Sequence, residues 1–178
     1  RNVADLINIY DGKFNKIGMK IGKSNPLSKS WYEDKRKKNR SIFSQLKNNT
    51  ENYFRTVTKT KSIDNMYTVF KPYCKYVKGK GFANGFVSCN ARGTNEFKDK
   101  KSLAYLINFF MSPDIKQFVE HYHIEFDDNL FSLSALLQWI WRSQIRDGNP
   151  IDLYIPSERM RELLKIWINE CKTMSEAA

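Results

Sequence analysis

Three short runs rich in β-branched and aromatic residues, MYTVFK (66–71), GFVSCN (85–90) and IDLYIP (151–156), stand apart in the chain with helical patterns between them. Strands separated in this way need crossovers rather than hairpins, and helices that cross over a sheet make it mainly parallel. The chain is therefore expected to adopt an α/β fold: a layered, mainly parallel sheet flanked by helices. A weaker strand is expected at KIGMKIG (16–22), where apolar and polar residues alternate before Asn25-Pro26.

Between these runs the spacing predicts helices. VADLINIY (3–10) reads as a short helix stopped near Gly12, and residues 41–57 place Ile42, Phe43, Leu46, Tyr53, Phe54 and Val57 at helical intervals. PYCKYVKGKG reads as a helical turn or short helix closed by two glycines, and KSLAYLINFF (101–110) as a helix. Residues 112–124 follow with Ser112 as N-cap, Pro113 at the first helical position and Asp114 in the first turn. A long amphipathic helix is expected over 130–146, a sharp turn at Gly148-Asn149-Pro150, and a final helix capped by Ser157.

At 178 residues and 41% hydrophobic content the chain is one ordinary domain, or one lobe of a larger protein, with enough apolar surface for a core. Its net charge of +11 is unevenly spread. Residues 1–100 carry 22 Lys+Arg against 8 Asp+Glu, a balance of +14; residues 101–178 carry 8 against 11, a balance of −3. A field concentrated in one half marks a polyanion-binding face, because neutralising phosphates releases condensed counterions. The bland alternative is a solvated basic surface. A boundary near residue 60 divides a basic N-terminal segment (1–60), either an insert or part of the same lobe, from a compact unit over 61–178.

Cys74, Cys89 and Cys171 are odd in number and widely spaced, which fits a reducing compartment and neither a disulfide framework nor a zinc site. No segment approaches the roughly 18 uninterrupted apolar residues of a membrane span. The chain opens Arg-Asn-Val, without initiator Met or signal pattern, and reads as a piece of a longer or processed protein of the cytoplasm, in a bacterial or phage-infected cell.

Gln138, Arg142 and Arg146 stand four residues apart on the expected helix over 130–146. Four residues advance a helix by about 400°, so the three side chains share a face, and two guanidiniums with an amide make a phosphate-binding ridge. Leu133, Leu136, Leu137, Ile140, Trp141 and Ile145 form the apolar face, which makes some polar ridge compulsory whatever its use. The loop after GFVSCN holds Arg92, Gly93, Thr94 and Asn95, donors suited to phosphate or sugar oxygens, beyond the carboxyl end of a strand.

Taken together, Ala91-Arg92-Gly93-Thr94-Asn95 after a strand and Gln138-x-x-x-Arg142 before the next strand resemble the fifth and sixth motifs of the second RecA-like lobe of superfamily 2 helicases and translocases. The stretches Cys89 to Phe97, Gln138 to Arg146 and Tyr154 to Leu164 are also similar to the C-terminal parts of helicase-like proteins of phages and mobile elements, which look like CNARATNEY, QWIWRSAIR and YIPSxRMRxLL. The resemblance spans roughly residues 66–168. It departs from the family at Asn95, which replaces an acid, at Trp141, which replaces a glycine, and at Arg146, which falls one residue late.

The resemblance implies that residues 61–178 form a RecA-like helicase C-terminal lobe and that Arg142 and Arg146 reach the γ-phosphate held by a partner lobe. It implies that Gln138 orients the nucleotide or couples it to nucleic acid, and that Arg92 to Asn95 sense nucleotide state. The chain has no G-x-x-x-x-G-K-[ST] and no D-E-x-H or D-E-x-D stretch, so it does not hydrolyse ATP alone. ATP and Mg²⁺ are expected only through the N-terminal ATP-binding lobe of the same parent protein, with nucleic acid, DNA in preference to RNA, as the other partner and no membrane. Lys35, Arg36, Lys37, Lys38 and Arg40, near Trp31 and Tyr32, are candidate nucleic-acid contacts. Arg159 and Arg161 at a helix start are further candidates, with Glu158 and Glu162 as competing ion partners. No metal site is expected: His121 and His123 point apart on a helix, and the acids look scattered. The alternative reading is a stand-alone basic nucleic-acid-binding module without nucleotide chemistry.

Overall fold

The computed structural model describes residues 2–90 and 96–176. Four strands, β1 (Ile7–Ile9), β2 (Asn65–Thr68), β3 (Ser102–Tyr105) and β4 (Ile151–Tyr154), form one sheet in the order β1-β4-β3-β2. Every pair in it is parallel. The layered α/β architecture expected from the strand spacing is present.

Side chains alternate between the two faces along each strand, as the pleat requires. Tyr67, Ala104, Leu106 and Tyr154 enter one core; Met66, Leu103, Tyr105, Leu153 and Ile155 enter the other. The first face is covered by α1 (Lys29–Lys38), α2 (Ser41–Asn52), a π-helical turn at Tyr53–Val57 and α3 (Cys74–Val77). The second is covered by α5 (Asp128–Ile140) and α6 (Glu158–Glu176), while α4 (Pro113–His121) buries none of its residues. The chain passes from β1 to β2 over the first face and from β3 back to β4 over the second. Opposite directions on opposite faces give both crossovers the same hand, the rule for parallel connections.

The layers differ in chemistry. The first is aromatic: Tyr32 stacks on Phe43 and Tyr73 at centroid distances of 5.7 and 5.0 Å, and Tyr53 stacks on Tyr154 at 5.1 Å. The hydroxyls of Tyr32 and Tyr154 donate to the carbonyls of Leu106 (2.6 Å) and Phe14 (2.7 Å), so these two buried rings keep their polar ends satisfied, whereas the Tyr53 hydroxyl is buried without a partner among the described residues. The second layer is mostly aliphatic, with Trp139 as its large ring; its indole N–H donates to the Val87 carbonyl at 3.0 Å and fastens α5 to the chain beside β2. Residues 1–60 supply β1, α1 and α2, and with them half of the aromatic side chains of the first layer.

Several local expectations give way to tertiary context. KSLAYLINFF contains β3, not a helix: a strand buried on both faces is a continuous apolar run, whose period cannot be told from that of a buried helix. VADLINIY holds a 3₁₀ turn, Val3–Leu6, followed by β1. KIGMKIG is no strand; Lys13–Gly18 is 3₁₀-helical. GFVSCN contributes one isolated bridge, Phe86 to Tyr67, through Tyr67 N–H to the Gly85 carbonyl (2.8 Å) and Val87 N–H to the Tyr67 carbonyl (2.9 Å). Gly85 permits that approach, since a Cβ there would run into the carbonyl of Asn65.

The expected helix over 130–146 ends at Ile140. Ser143 is buried and extended, and its hydroxyl donates to the Ile140 carbonyl at 2.7 Å, filling an acceptor that helix continuation would have used. A separate 3₁₀ turn, Gln144–Asp147, follows and closes at Gly148 in the left-handed region, φ 79°. Gln144 N–H donates to the Lys100 carbonyl just ahead of β3 at 3.1 Å, which pins the break to the sheet.

Candidate functional site

Gln138, Arg142 and Arg146 therefore do not share a helical ridge: Gln138 is in the last turn of α5, Arg142 in the turn beyond it, and Arg146 in the 3₁₀ turn. The fold nevertheless brings them to one place. All three line a cavity of 730 Å³ together with Val3, Ile7 and Trp167. Helix α5 contributes Leu137 and Ile140, β1 contributes Ile7, and α6 contributes Trp167 across the layer.

The cavity sits toward the amino ends of β1 and β4, where the chain from α5 enters the sheet. Open α/β sheets usually bind ligands at the opposite, carboxyl end. Its wall is mainly apolar, with the amide and two guanidiniums set into it, and the Trp141 ring stands beside it 49% exposed. The Nε of Arg142 is buried and has no hydrogen-bond partner among the described residues. Gln138 donates from Nε2 to the Ser134 hydroxyl at 3.2 Å. A buried guanidinium N–H without an acceptor is costly.

Arg159 and Arg161 are placed differently. The Arg159 guanidinium donates to the Phe109 carbonyl (2.7 Å), the Asn129 side-chain oxygen (2.9 Å), the Ser132 hydroxyl (3.1 Å) and Asn108 (3.2 Å), and lies 4.1 Å over the Phe110 ring. Burial pushes its pKa below the ordinary arginine value, opposed by the Asp128 and Asp127 carboxylates. Arg161 is buried and donates to the carbonyls of Ile155 (2.8 Å) and Pro156 (3.2 Å). Both guanidiniums are turned into the carboxyl end of the sheet, where they join α5, α6 and the chain after β3 and β4, although the Nε of Arg161, like that of Arg142, is buried without a hydrogen-bond partner among the described residues. Neither pairs with Glu158 or Glu162; Glu158 accepts from the Lys20 N–H at 2.8 Å and Glu162 pairs with Lys165 at 3.0 Å.

In α1, Ser28 caps the helix by accepting from Trp31 N–H at 3.3 Å, and Lys35, Arg36, Lys37 and Lys38 fill its last turns. Two of them are partly neutralised one turn away, Lys37 by Glu33 (3.6 Å) and Lys38 by Asp34 (2.6 Å). Arg40 folds back to the Arg36 carbonyl at 2.9 Å. Tyr32, Tyr53 and Phe54 are core residues, so the aromatics near this basic stretch hold the helix down instead of presenting rings to bases. Arg92, Gly93, Thr94 and Asn95 lie outside the described residues.

Among the described residues no three His, Cys, Asp or Glu side chains come together as a metal site. Among them, too, no helix is long and apolar enough to cross a membrane. Val3, Ile7 and Trp167 escaped the sequence reading because only the fold brings residues so far apart in the chain into one cavity wall. Trp141, where the helicase pattern has a glycine, was the one local signal that this surface is unusual.

A family model described as the YonV C-terminal Rossmann-like domain matches residues 1–168. The SPbeta prophage-derived uncharacterized protein YonV of Bacillus subtilis (strain 168) is 43% identical over 162 residues, which cover 91% of this chain and 38% of that relative. No solved structure gives a significant match.

Proposed function

Since the chain belongs to the YonV C-terminal Rossmann-like domain family, we propose that it acts as the arginine-supplying lobe of a nucleic-acid-dependent nucleotide hydrolase, of the superfamily 2 helicase or translocase kind. Arg142 and Arg146 reach phosphates held on a partner lobe, Gln138 positions them, and the apolar wall with Trp141 seats the partner. One observation carries the reading: Arg142, whose buried Nε has no hydrogen-bond partner among the described residues, lines a cavity that also gathers Gln138 and Arg146, although the helix that was expected to align them is broken. A guanidinium prepared in this way stabilises charge developing on a transferred phosphoryl group, and loss of such a finger commonly costs ~10³–10⁵ in rate. The chain spans 38% of the YonV relative's length; on this reading ATP and Mg²⁺ are held by a partner lobe.

The test is DNA-stimulated ATP hydrolysis by the full-length protein that carries this domain, wild type beside Arg142→Ala, with folding matched by circular dichroism. Turnover is expected to fall by about 10³-fold with DNA affinity retained. Equal rates would remove Arg142 from the chemistry. A second reading has its own support, the basic end of α1: a nucleic-acid-binding module without hydrolysis, favoured if neither protein turns over ATP while DNA binding persists and weakens steeply with salt.

A further inference from the structure

At the carboxyl end of the sheet the domain carries two exposed apolar patches of opposite charge. The first is α4 and the turn after it. Ile115, Phe118 and Tyr122 recur at helical intervals, and with Ile124 and Leu130 they are each at least half exposed. An amphipathic helix with its apolar stripe in water lacks a cover. Residues 112–130 hold five acids, Asp114, Glu120, Glu125, Asp127 and Asp128, against the single Lys116, a balance of −4.

The second patch is residues 13–23. They hold four lysines, Lys13, Lys16, Lys20 and Lys23, and no acid, a balance of +4, with Met19 and Ile21 exposed between them (45% and 79%). Both patches are anchored to the same end of the fold. Lys20 N–H is held by Glu158 at 2.8 Å, and Asn108 N–H reaches the Leu27 carbonyl at 2.8 Å. Met111 N–H, just ahead of α4, is held by Asp128 at 3.1 Å.

We propose that the two patches are the halves of one interface and that a second copy of this chain covers them: α4 of one copy lies on residues 13–23 of the other. Because each copy owns both halves, a twofold arrangement makes the contact twice. The charge selects this occupant. An anionic lipid surface or a nucleic acid is repelled by a patch of net −4, whereas the lysine patch is opposite in sign and equal in size and adds apolar area. The pairing leaves the Arg142 cavity untouched and stands apart from the nucleotide reading.

Sedimentation velocity on the full-length protein tests it. A reversible dimer is expected, weakening about tenfold between about 0.1 M and about 0.5 M salt as screening grows. Lys20→Glu with Lys23→Glu, or Asp114→Lys with Glu120→Lys, should each raise the dissociation constant about 100-fold. Mixed together, the two charge-reversed proteins should pair again, because each then offers the complement of the other's altered patch. Phe118→Ser with Tyr122→Ser, at exposed positions, should yield a folded monomer by circular dichroism. A wild-type protein that stays monomeric at about 100 μM, reversals that leave the dimer intact, or reversed variants that fail to pair when mixed each overturn the proposal.

Discussion

Arg142 and Arg159 are both half-buried arginines next to aromatic rings and polar side chains, yet their guanidiniums are in opposite conditions. Arg159 satisfies its donors on Asn108, Phe109, Asn129 and Ser132 and lies over Phe110. Arg142 leaves Nε buried without an acceptor, at the wall of an open cavity. The first is a clamp holding α6 to the end of α5 and to the chain after β3. The second lines the cavity with that donor unmatched. Proximity to a helix end or to a motif does not separate these roles, and neither does one unmatched Nε, which Arg161 shares; the acceptors around the whole guanidinium and its place on the cavity wall do.

That contrast can be broken experimentally. The largest effect is expected at Arg142: Arg142→Ala, and nearly as much Arg142→Lys, should lower ATP turnover of the full-length protein by about 10³-fold, because lysine keeps the charge but not the planar fork. The melting midpoint should stay near wild type, and a loss of stability in place of activity would move Arg142 into the same class as Arg159.

Next comes Arg159→Met, which keeps the stem but removes donors from buried Asn108 and from Ser132. It should cost about 2–4 kcal/mol in urea unfolding, with DNA affinity changed less than about twofold. Arg161→Met leaves the Ile155 and Pro156 carbonyls without that donor and should cost about 1–3 kcal/mol. If either variant instead weakens DNA binding at full stability, the clamp reading fails.

The smallest effect belongs to the surface. Lys35→Gln with Arg36→Gln should weaken DNA binding by about tenfold and flatten the log–log salt slope by about 2, with stability within about 0.5 kcal/mol of wild type. An unchanged salt slope would show that α1 does not face the nucleic acid.

How far the sequence carried the structure varies from residue to residue. IDLYIP and MYTVFK were legible as strands because turn signals and β-branched or aromatic side chains agree there. Ser157 was legible as a cap and accepts from Met160 N–H at 3.4 Å. KSLAYLINFF was not legible, because burial on both faces erases the alternation that marks a strand. The end of α5 was not legible either. Ile145 keeps the helical spacing yet reaches the core from a 3₁₀ turn, since Ser143 and Gln144 find partners in the Ile140 and Lys100 carbonyls.

By itself the sequence determined the layered α/β class, the basic bias of the first hundred residues and the candidate set Gln138, Arg142 and Arg146, because these follow from local periodicity, charge and spacing. Only the tertiary structure decided which arginines have their donors consumed, how the three candidates meet without a shared helix, and which residues complete their cavity. A guanidinium is committed or available according to the carbonyls and side chains around it, and those come from strands and helices far away in the chain.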